Sequence, residues 1–372
     1  MQQRTDIERL RVDNLSIGTS LLVRAAIARG LTYRILPEKL IELSDGARRY
    51  YFRGTITPCN SMVSSWLSNN KFVSRHILRE AGIAVPHTVT LRQPSAWSRV
   101  LRSKLNFPLA VKPVTSSHGH GGTMNIRHPG TLKKAVQRAF AYLHKHKSGN
   151  RVLVEEYIEG DDLRLLVIGQ KVVSVVKREP AYVIGDGERT INELIKEFNN
   201  QWQSKMSYNL PLCPIPIDTE TTRCLRAQKK NYRYIPTPGE KVYVRWNANV
   251  STGGRSIDIT DQTSPALKDL AIQVANLLSL KVTGVDMLCQ DYTKNDASKA
   301  NTVVLEANAA PGFDINQLPF EGAGQNIADP LLDVILEHPV LAPQVSSLAI
   351  STVALMTPTP IQLPPHPQSR PA

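Results

Sequence analysis

Cysteine is scarce in this chain. There are four in 372 residues, Cys59, Cys213, Cys224 and Cys289. They lie far apart, with no CxxC spacing and no histidine pairing that would complete a zinc site, so they read as reduced thiols in a cytoplasmic protein. Long apolar runs are missing too. No stretch approaches the length needed to cross a bilayer, Arg24 interrupts the most apolar N-terminal segment, and the opening "MQQRTDIERLRVD" mixes charges as a signal peptide does not. Acidic residues are outnumbered by basic ones, 32 to 45, for a net charge of +13. That excess suits nucleic acid, an acidic surface or a polyanionic small substrate. The basic residues are dispersed, as in "LKKAVQRA" and "HKHK", and no helix-turn-helix, zinc finger or aromatic RNA-binding signature accompanies them. Nucleic acid is therefore the outside option.

What is present is the composition of a folded protein of two or three domains. "LSIGTSLLVRAAIARG" has helical periodicity and stops at Gly30, "LTYRIL" reads as a strand, and "LIELSDGARRYYFRG" is a hairpin about Asp45-Gly46. Helical spacing of Phe72, Val73, Ile77 and Leu78 ends at Gly82. There follow a strand, a glycine-rich loop, a strand, a helix, a strand, and a hairpin about Gly169. "SPALKDLAIQVANLLSL" is a strongly periodic helix, and "KVTGVDMLCQD" and "NTVVLEANAAPGF" are strands. The class is α+β without internal repeats. The expected division is a short α/β unit over 1–70, units over 71–152 and 153–340, and an extended or disordered proline-rich tail over 341–372.

The glycine-rich loop is "VKPVTSSHGHGGTMNI", residues 111–126. Gly119, Gly121 and Gly122 let backbone N–H groups approach an anion, and Ser116, Ser117 and Thr123 add hydroxyl donors. The loop is not a Walker A, because Gly-Lys-Ser/Thr is missing and a strand follows where a helix would begin. A plain surface turn and a phosphate cradle both remain open, and His118 and His120 have nothing nearby to complete a metal site. Lys112, fixed beside Pro113, and Lys71 are ammonium groups able to reach phosphate oxygens. In "VEEYIEGDD", residues 154–162, an acidic hairpin and a nucleotide edge are both open readings. At the other end Asp286 lies in "TGVDML", and Glu306 and Asn308 in "LEANAAPG". Residues two apart on a strand share a face, so Glu306 and Asn308 converge, and Asp286 joins them if the strands pair. Three oxygen donors on one sheet face suit Mg2+. "VRWNANVSTGGRSIDIT" brings Arg245 and Arg255, and Arg164 and Arg178 lie on the hairpin read as facing it. Such arginines hold a carboxylate or stabilise a transferring phosphoryl group.

Taken in order, Lys71, "VKP" with its glycine loop, "VEEYIEGDD", "GVDML" and "EANAAPGF" resemble the ATP-grasp carboxylate–amine ligases over about residues 15–335. The likeness is nearest to the ATP-grasp modules of cyanophycin synthetase and bifunctional glutathione synthetase, through "REAGIAVP", "VKREPAYVIGDGERTINELI", "NVSTGGRSIDITD" and "PFEGAGQNI". The resemblance implies two α+β subdomains clasping ATP, preceded by the short N-terminal unit. It implies transfer of the γ-phosphoryl group to a carboxylate, then attack by an amino-acid amine to give an amide, ADP and phosphate. Lys71 and Lys112 would contact the nucleotide, and the loop with Ser116, Ser117, Gly119, Gly121, Gly122 and Thr123 would close over the phosphates. Glu155, Glu156, Tyr157 and Ile158 would line the adenine and Asp162 would hold the ribose. Asp286, Glu306 and Asn308 would hold one or two Mg2+ ions, with Mn2+ able to substitute. Arg178, Arg245 or Arg255 would stabilise the acylphosphate. Asp162 is one methylene shorter than the usual glutamate. Gly284 stands where some relatives have an arginine, so another arginine must serve.

The first expectation for substrates is γ-glutamylcysteine and glycine, with cyanophycin-type amino acids close behind. A ligase acting on a protein or peptide acceptor and a non-catalytic ATP sensor are the alternatives. A homo-oligomer, dimer or tetramer, is the expected assembly, away from membranes. Residues 199–240 read as a lid or a simple insertion.

Overall fold

Several helices begin where a side chain can stand in for a missing helical acceptor. The computed structural model describes residues 11–114, 121–201, 213–296 and 301–341. Ser16 accepts from Thr19 N at the start of α1 (Ile17–Ala28), which stops ahead of Gly30 at φ +80°. Then come β1 (Thr32–Leu36), β2 (Leu40–Ser44) and β3 (Arg48–Phe52). Asp45 accepts from the backbone N–H groups of Ala47 and Arg48 to turn the β2–β3 hairpin. Ser61 caps α2 (Met62–Asn69) and Asn70 caps α3 (Lys71–Glu80), which ends ahead of Gly82 at φ +77°.

The next unit is a four-stranded antiparallel sheet in the order β4-β7-β5-β6, made of β4 (Thr88–Leu91), β5 (Leu109–Pro113), β6 (Thr123–Ile126) and β7 (Val152–Glu156). The amphipathic α4 (Pro129–Lys145) buries Leu132, Val136 and Leu143 against Val111, Val152 and Val154. The glycine-rich loop joins β5 to β6, and the sheet of this unit runs on to Glu156.

The large sheet follows, in the order β12-β9-β8-β13-β14. Its long hairpin is β8 (Asp161–Ile168) and β9 (Lys171–Glu179). Between β9 and β12 the chain builds a satellite from β10 (Tyr182–Ile184), α5 (Ile191–Gln201), α6 (Thr219–Ala227) and β11 (Lys241–Tyr243). Ala181, Ile191, Ile195, Leu225 and Val244 give it its own apolar core. The stretch that read as a lid or an insertion thus falls, where described, in a small folded body. The sheet resumes with β12 (Arg255–Asp258), passes to α7 (Pro265–Leu277), and ends with β13 (Val282–Cys289) and β14 (Val303–Asn308). The single turn α8 (Asp314–Gln317), α9 (Ala328–Leu336) and β15 (Val340–Leu341) complete the described chain, β15 pairing with β3.

Alternation along β8 positions the site. Leu163, Leu165 and Val167 face α7, with Val285 and Met287 of β13 beside them. On the other face Leu166 and Ile168 pack under α1, β2, β3 and α9. Arg164 and Asp162 continue that second face beyond the apolar cover. One side of the sheet thus changes along its length from core to charged surface.

Candidate active site

Strand register brings the charges together. Arg164 of β8 lies opposite Asp286 of β13, and Asp286 lies opposite Glu306 of β14. Asp162 lies opposite Arg178 across the β8–β9 hairpin. Arg164 grips Asp286 with two nitrogens, Nε to Oδ1 at 2.7 Å and Nη2 to Oδ2 at 2.8 Å, the bidentate fork that suits guanidinium to carboxylate. Arg178 donates from Nε and Nη2 to Asp162 Oδ1 at 2.9 and 2.5 Å, and Nη2 also lies 3.1 Å from Asp286 Oδ2. Lys71, from the first turn of α3, reaches Glu306 Oε2 at 2.8 Å. Asn308 sits opposite Gly284. The three oxygen-bearing residues expected to converge lie on one face, with Lys71 against Glu306.

Burial and charge act in opposite directions here. Burial raises the Asp286 carboxyl, but Arg164 and Arg178 together outweigh it and hold the pKa below the usual carboxylate range. Glu306 is likewise lowered, because Lys71 overcomes burial and the repulsion of Asp286. Asp162 goes the other way. Burial, helped by the Asp286 charge, outweighs Arg178 and raises it. Burial works against the charged form of Arg178, yet Asp162 and Asp286 hold its pKa above the ordinary value.

Gly284 leaves room for an arginine from the next strand. A Cβ at this position would stand 3.0 Å from Pro311 Cβ and 3.4 Å from Arg164 Cδ. The missing side chain makes the room that Arg164 occupies from the neighbouring strand. Gly284, two residues before Asp286, was the sequence signal for such an exchange. The donor's identity was not legible, because it depends on the β8–β13 register.

The second cluster belongs to the smaller sheet. Glu155 of β7 is fully buried and pairs with Lys112 of β5 and with Arg75 Nη1 of α3 at 2.7 Å. Burial pushes this carboxyl up, and the two cations bring it down to about 2. Arg75 was not among the expected site residues. Its signal was the spacing to Lys71, one turn away on the same helix face. Thr123 is buried at the start of β6, and its hydroxyl accepts from Arg138 Nη2 at 3.4 Å. Gly121 has φ +70°, and a Cβ there would meet Tyr142 Cγ at 2.7 Å, so only glycine fits the turn. Gly122 follows it into β6. Glu156 Oε1 accepts from Asn106 N at 3.1 Å, and Tyr157 N donates to Pro108 O at 2.8 Å. Ile158 is half-buried beside them. Ser116, Ser117 and Gly119 lie outside the described residues, as do His118 and His120.

The remaining two arginines are held elsewhere. Arg245 donates to both carboxylate oxygens of Asp218, at 2.8 and 3.0 Å, within the satellite. Arg255 lies over the Tyr182 ring at 3.7 Å and donates from Nη1 to the Tyr182 hydroxyl at 2.5 Å. Neither makes a bond to Asp286, Glu306 or Asp162 among the described residues.

Among the described residues no three His, Cys, Asp or Glu side chains are gathered to hold a metal. Two carboxylates and an amide nevertheless fit Mg2+, which takes one or two carboxylates and completes its shell with water and phosphate oxygens.

Residues 68–183 match the family model of the RimK-like ATP-grasp domain. The glutathione biosynthesis bifunctional protein of Clostridium perfringens is 33% identical over 331 residues, 87% of this chain and 41% of the relative. The cyanophycin synthetase of Geminocystis herdmanii is 32% identical over 346 residues, 92% of this chain and 39% of the relative. The chain thus spans about two fifths of the length of these relatives. Among solved structures, a bifunctional glutathione synthetase from Pasteurella multocida superimposes with a TM-score of 0.63 at 26% identity, covering 87% of this chain and 44% of its own. The domain match, these relatives and the shared fold agree that the chain carries a RimK-like ATP-grasp domain and has the ATP-grasp fold.

Proposed function

We propose that the protein is an ATP- and Mg2+-dependent ligase that joins a carboxylate, activated as an acylphosphate, to an amino-acid amine. The observation that carries this reading is the Asp286–Glu306–Asn308 face with Arg164, Arg178 and Lys71 drawn onto it. Phosphoryl transfer asks mainly for positioning and charge neutralisation, and this face supplies both without a side-chain nucleophile. Asp286, Glu306 and Asn308 would hold Mg2+, which would supply positive charge to offset that of the phosphates. Lys71, Lys112 and the backbone around Gly121 and Gly122 would hold the phosphates, with Ser116, Ser117 and Gly119 on the same loop. Residues 156–158 would line the base and Asp162 would meet the ribose. Arg164 and Arg178 are better placed than Arg245 and Arg255 to steady charge on the transferring group, because both already touch Asp286.

Among the described residues no helix is long and apolar enough to cross a membrane, which agrees with a cytoplasmic enzyme. For substrates we favour γ-glutamylcysteine with glycine, or amino acids of the cyanophycin type, following the relatives' names. The net charge of +13 favours an acidic peptide acceptor as the second reading. The test is Mg2+-dependent ADP release from ATP over a panel of acids and amines, for the wild type and Glu306→Ala. Stimulation by one pair, lost in the variant, supports a ligase. ATP binding with no release for any small pair or acidic peptide favours a sensor.

A further inference from the structure

One face of α3 carries more cations than the carboxylates beside it can offset. Lys71, Arg75 and Arg79, four residues apart, line a cavity of about 110 Å³ between this helix and β4. Strand register fixes the opposite wall. Thr90 of β4 lies opposite Leu153 of β7, and Leu153 opposite Lys112 of β5, so the three share a face. Thr88 and Glu155 form the next row on that face. Two strand spacings, about 10 Å, separate the backbone of Thr90 from that of Lys112. Among the described residues no carboxylate lines the cavity. Arg75 is buried, with Nε on Leu305 O at 3.2 Å and Nη1 on Thr88 Oγ1 at 3.1 Å and Glu155 Oε2 at 2.7 Å. Its Nη2 makes no hydrogen bond among the described residues, and neither does the hydroxyl of the half-buried Thr90. Arg79 is exposed and has no ion pair among the described residues. The His76 ring, on the cavity's rim, has Nε2 3.4 Å from Glu80 Oε1.

The charges do not close. Lys71 is balanced by Glu306, but Arg75 and Lys112 share the single carboxylate of Glu155 and Arg79 has none, which leaves two positive charges. Cations held together without an acid repel one another, and an anion between them removes the repulsion. We propose that this cavity is a phosphate site separate from that of the nucleotide, and that it takes one inorganic phosphate dianion. Pockets for drug-sized ligands begin near ~300 Å³, so the cavity suits a small oxyanion and is too small for a nucleotide. The dianion matches the two open charges, and its oxygens accept from Arg75 Nη2, the Arg79 guanidinium, the Thr90 hydroxyl and the free side of the Lys71 ammonium. Its use rests on the ligase reading above. Lys71 has Glu306 on one side and this cavity on the other. Phosphate leaving the acylphosphate would pass Lys71 and be held here while the amide departs.

Binding is read without turnover, so the site can be tested apart from the reaction. The full chain is titrated calorimetrically with inorganic phosphate, alone and after saturation with a non-hydrolysable ATP analogue and Mg2+. Wild type, Arg79→Gln and Thr90→Val are compared. Both substitutions lie on the accessible side of the cavity and leave Glu155 and Glu306 with their partners. The expected result is one phosphate per chain that survives addition of the analogue. Its Kd should rise about tenfold in Arg79→Gln, the scale of one charge-assisted hydrogen bond, and by less in Thr90→Val. Absence of phosphate binding to the wild type overturns the site. So does displacement of the phosphate by the analogue, which would make the cavity part of the nucleotide's own site, and so does an equal Kd in all three proteins. If phosphate binds as expected while no pair of substrates releases ADP, the site is upheld and the ligase reading falls alone.

Discussion

Glu155 and Asp286 are both buried carboxylates on strands, and each is gripped by two cations, yet they are built for different purposes. Glu155 faces Lys112 and Arg75 and nothing else acidic, so the cluster is closed, with an extra positive charge held deep between the smaller sheet and α3. Asp286 belongs to an open network. Its partner Arg178 is shared with Asp162, and its strand neighbour Glu306 is held by Lys71, so three carboxylates meet three cations. The side chains of Lys71 and Glu306 remain 20% and 26% exposed, whereas Glu155 is 2% exposed. Charges in the open network can change partners when phosphates and a metal arrive. In the closed one Arg75 cannot do so without stranding the buried Glu155, and Lys112, 24% exposed, keeps a side open to an arriving phosphate. One cluster ties the smaller sheet to α3, and the other is the one we propose to meet the phosphates.

The largest expected effect breaks the open network. Glu306→Ala removes a half-exposed carboxylate and should fold normally, yet lower Mg2+-dependent ADP release by at least 100-fold, the scale of losing one preorganised electrostatic group. A variant that keeps a tenth of the wild-type rate would show that Glu306 is not needed for the metal. In the closed cluster the same change should act on stability. Glu155→Gln leaves Arg75 and Lys112 over a neutral amide, and about 3–5 kcal/mol should be lost in denaturant titration, as when a buried pair is broken.

The closed cluster also predicts an acid limb. The folded pKa of Glu155, about 2, lies below its ordinary value of 4.5, so the folded state binds its proton more weakly than the unfolded state does. Its contribution, about 3 kcal/mol, is fully present above pH 4.5 and is lost as pH falls from there toward 2. Unfolding measured between pH 6 and pH 3 should steepen downward in the wild type and flatten in Glu155→Gln. Identical profiles for the two proteins would remove Glu155 as the cause.

The same contrast shows what the chain makes legible. Helix ends at Gly30 and Gly82, the hairpins about Asp45-Gly46 and Gly169, and the two strands bearing Asp286, Glu306 and Asn308 follow from local periodicity and turn chemistry. The choice among Arg164, Arg178, Arg245 and Arg255 does not, because it depends on strand register across more than a hundred residues. Arg245 and Arg255 sit in a motif as suggestive as the one bearing Arg178, but the satellite takes them up with Asp218 and Tyr182.

A smaller effect tests why Arg164 came to the site. Gly284→Ala places a methyl 3.0 Å from Pro311 and 3.4 Å from Arg164, so the guanidinium must shift along Asp286. Overpacking of this kind costs about 1–3 kcal/mol. ADP release should drop on the order of tenfold, as misplaced charge weakens positioning. If activity is unchanged while stability falls, Arg164 serves the fold alone.

The smallest effect should come from the satellite. Asp218 caps α6 by accepting from Glu220 N and Thr221 N, and it also holds the buried Arg245. Asp218→Ala removes the cap, worth about 1 kcal/mol, and leaves the guanidinium without its partner. Arg245→Met added to it takes away the stranded charge, so the double variant should recover part of the loss and leave mainly the cap deficit. Measured well below the unfolding temperature, ADP release by the double variant should stay within about twofold of the wild type, since the pair is remote from Asp286 in its bonding and RT ln 2 is about 0.4 kcal/mol. A loss of 100-fold would instead place Arg245 on the reacting groups. The satellite would then be part of the open network, and the division between a fixed cluster and an exchangeable one would have to be redrawn to include it.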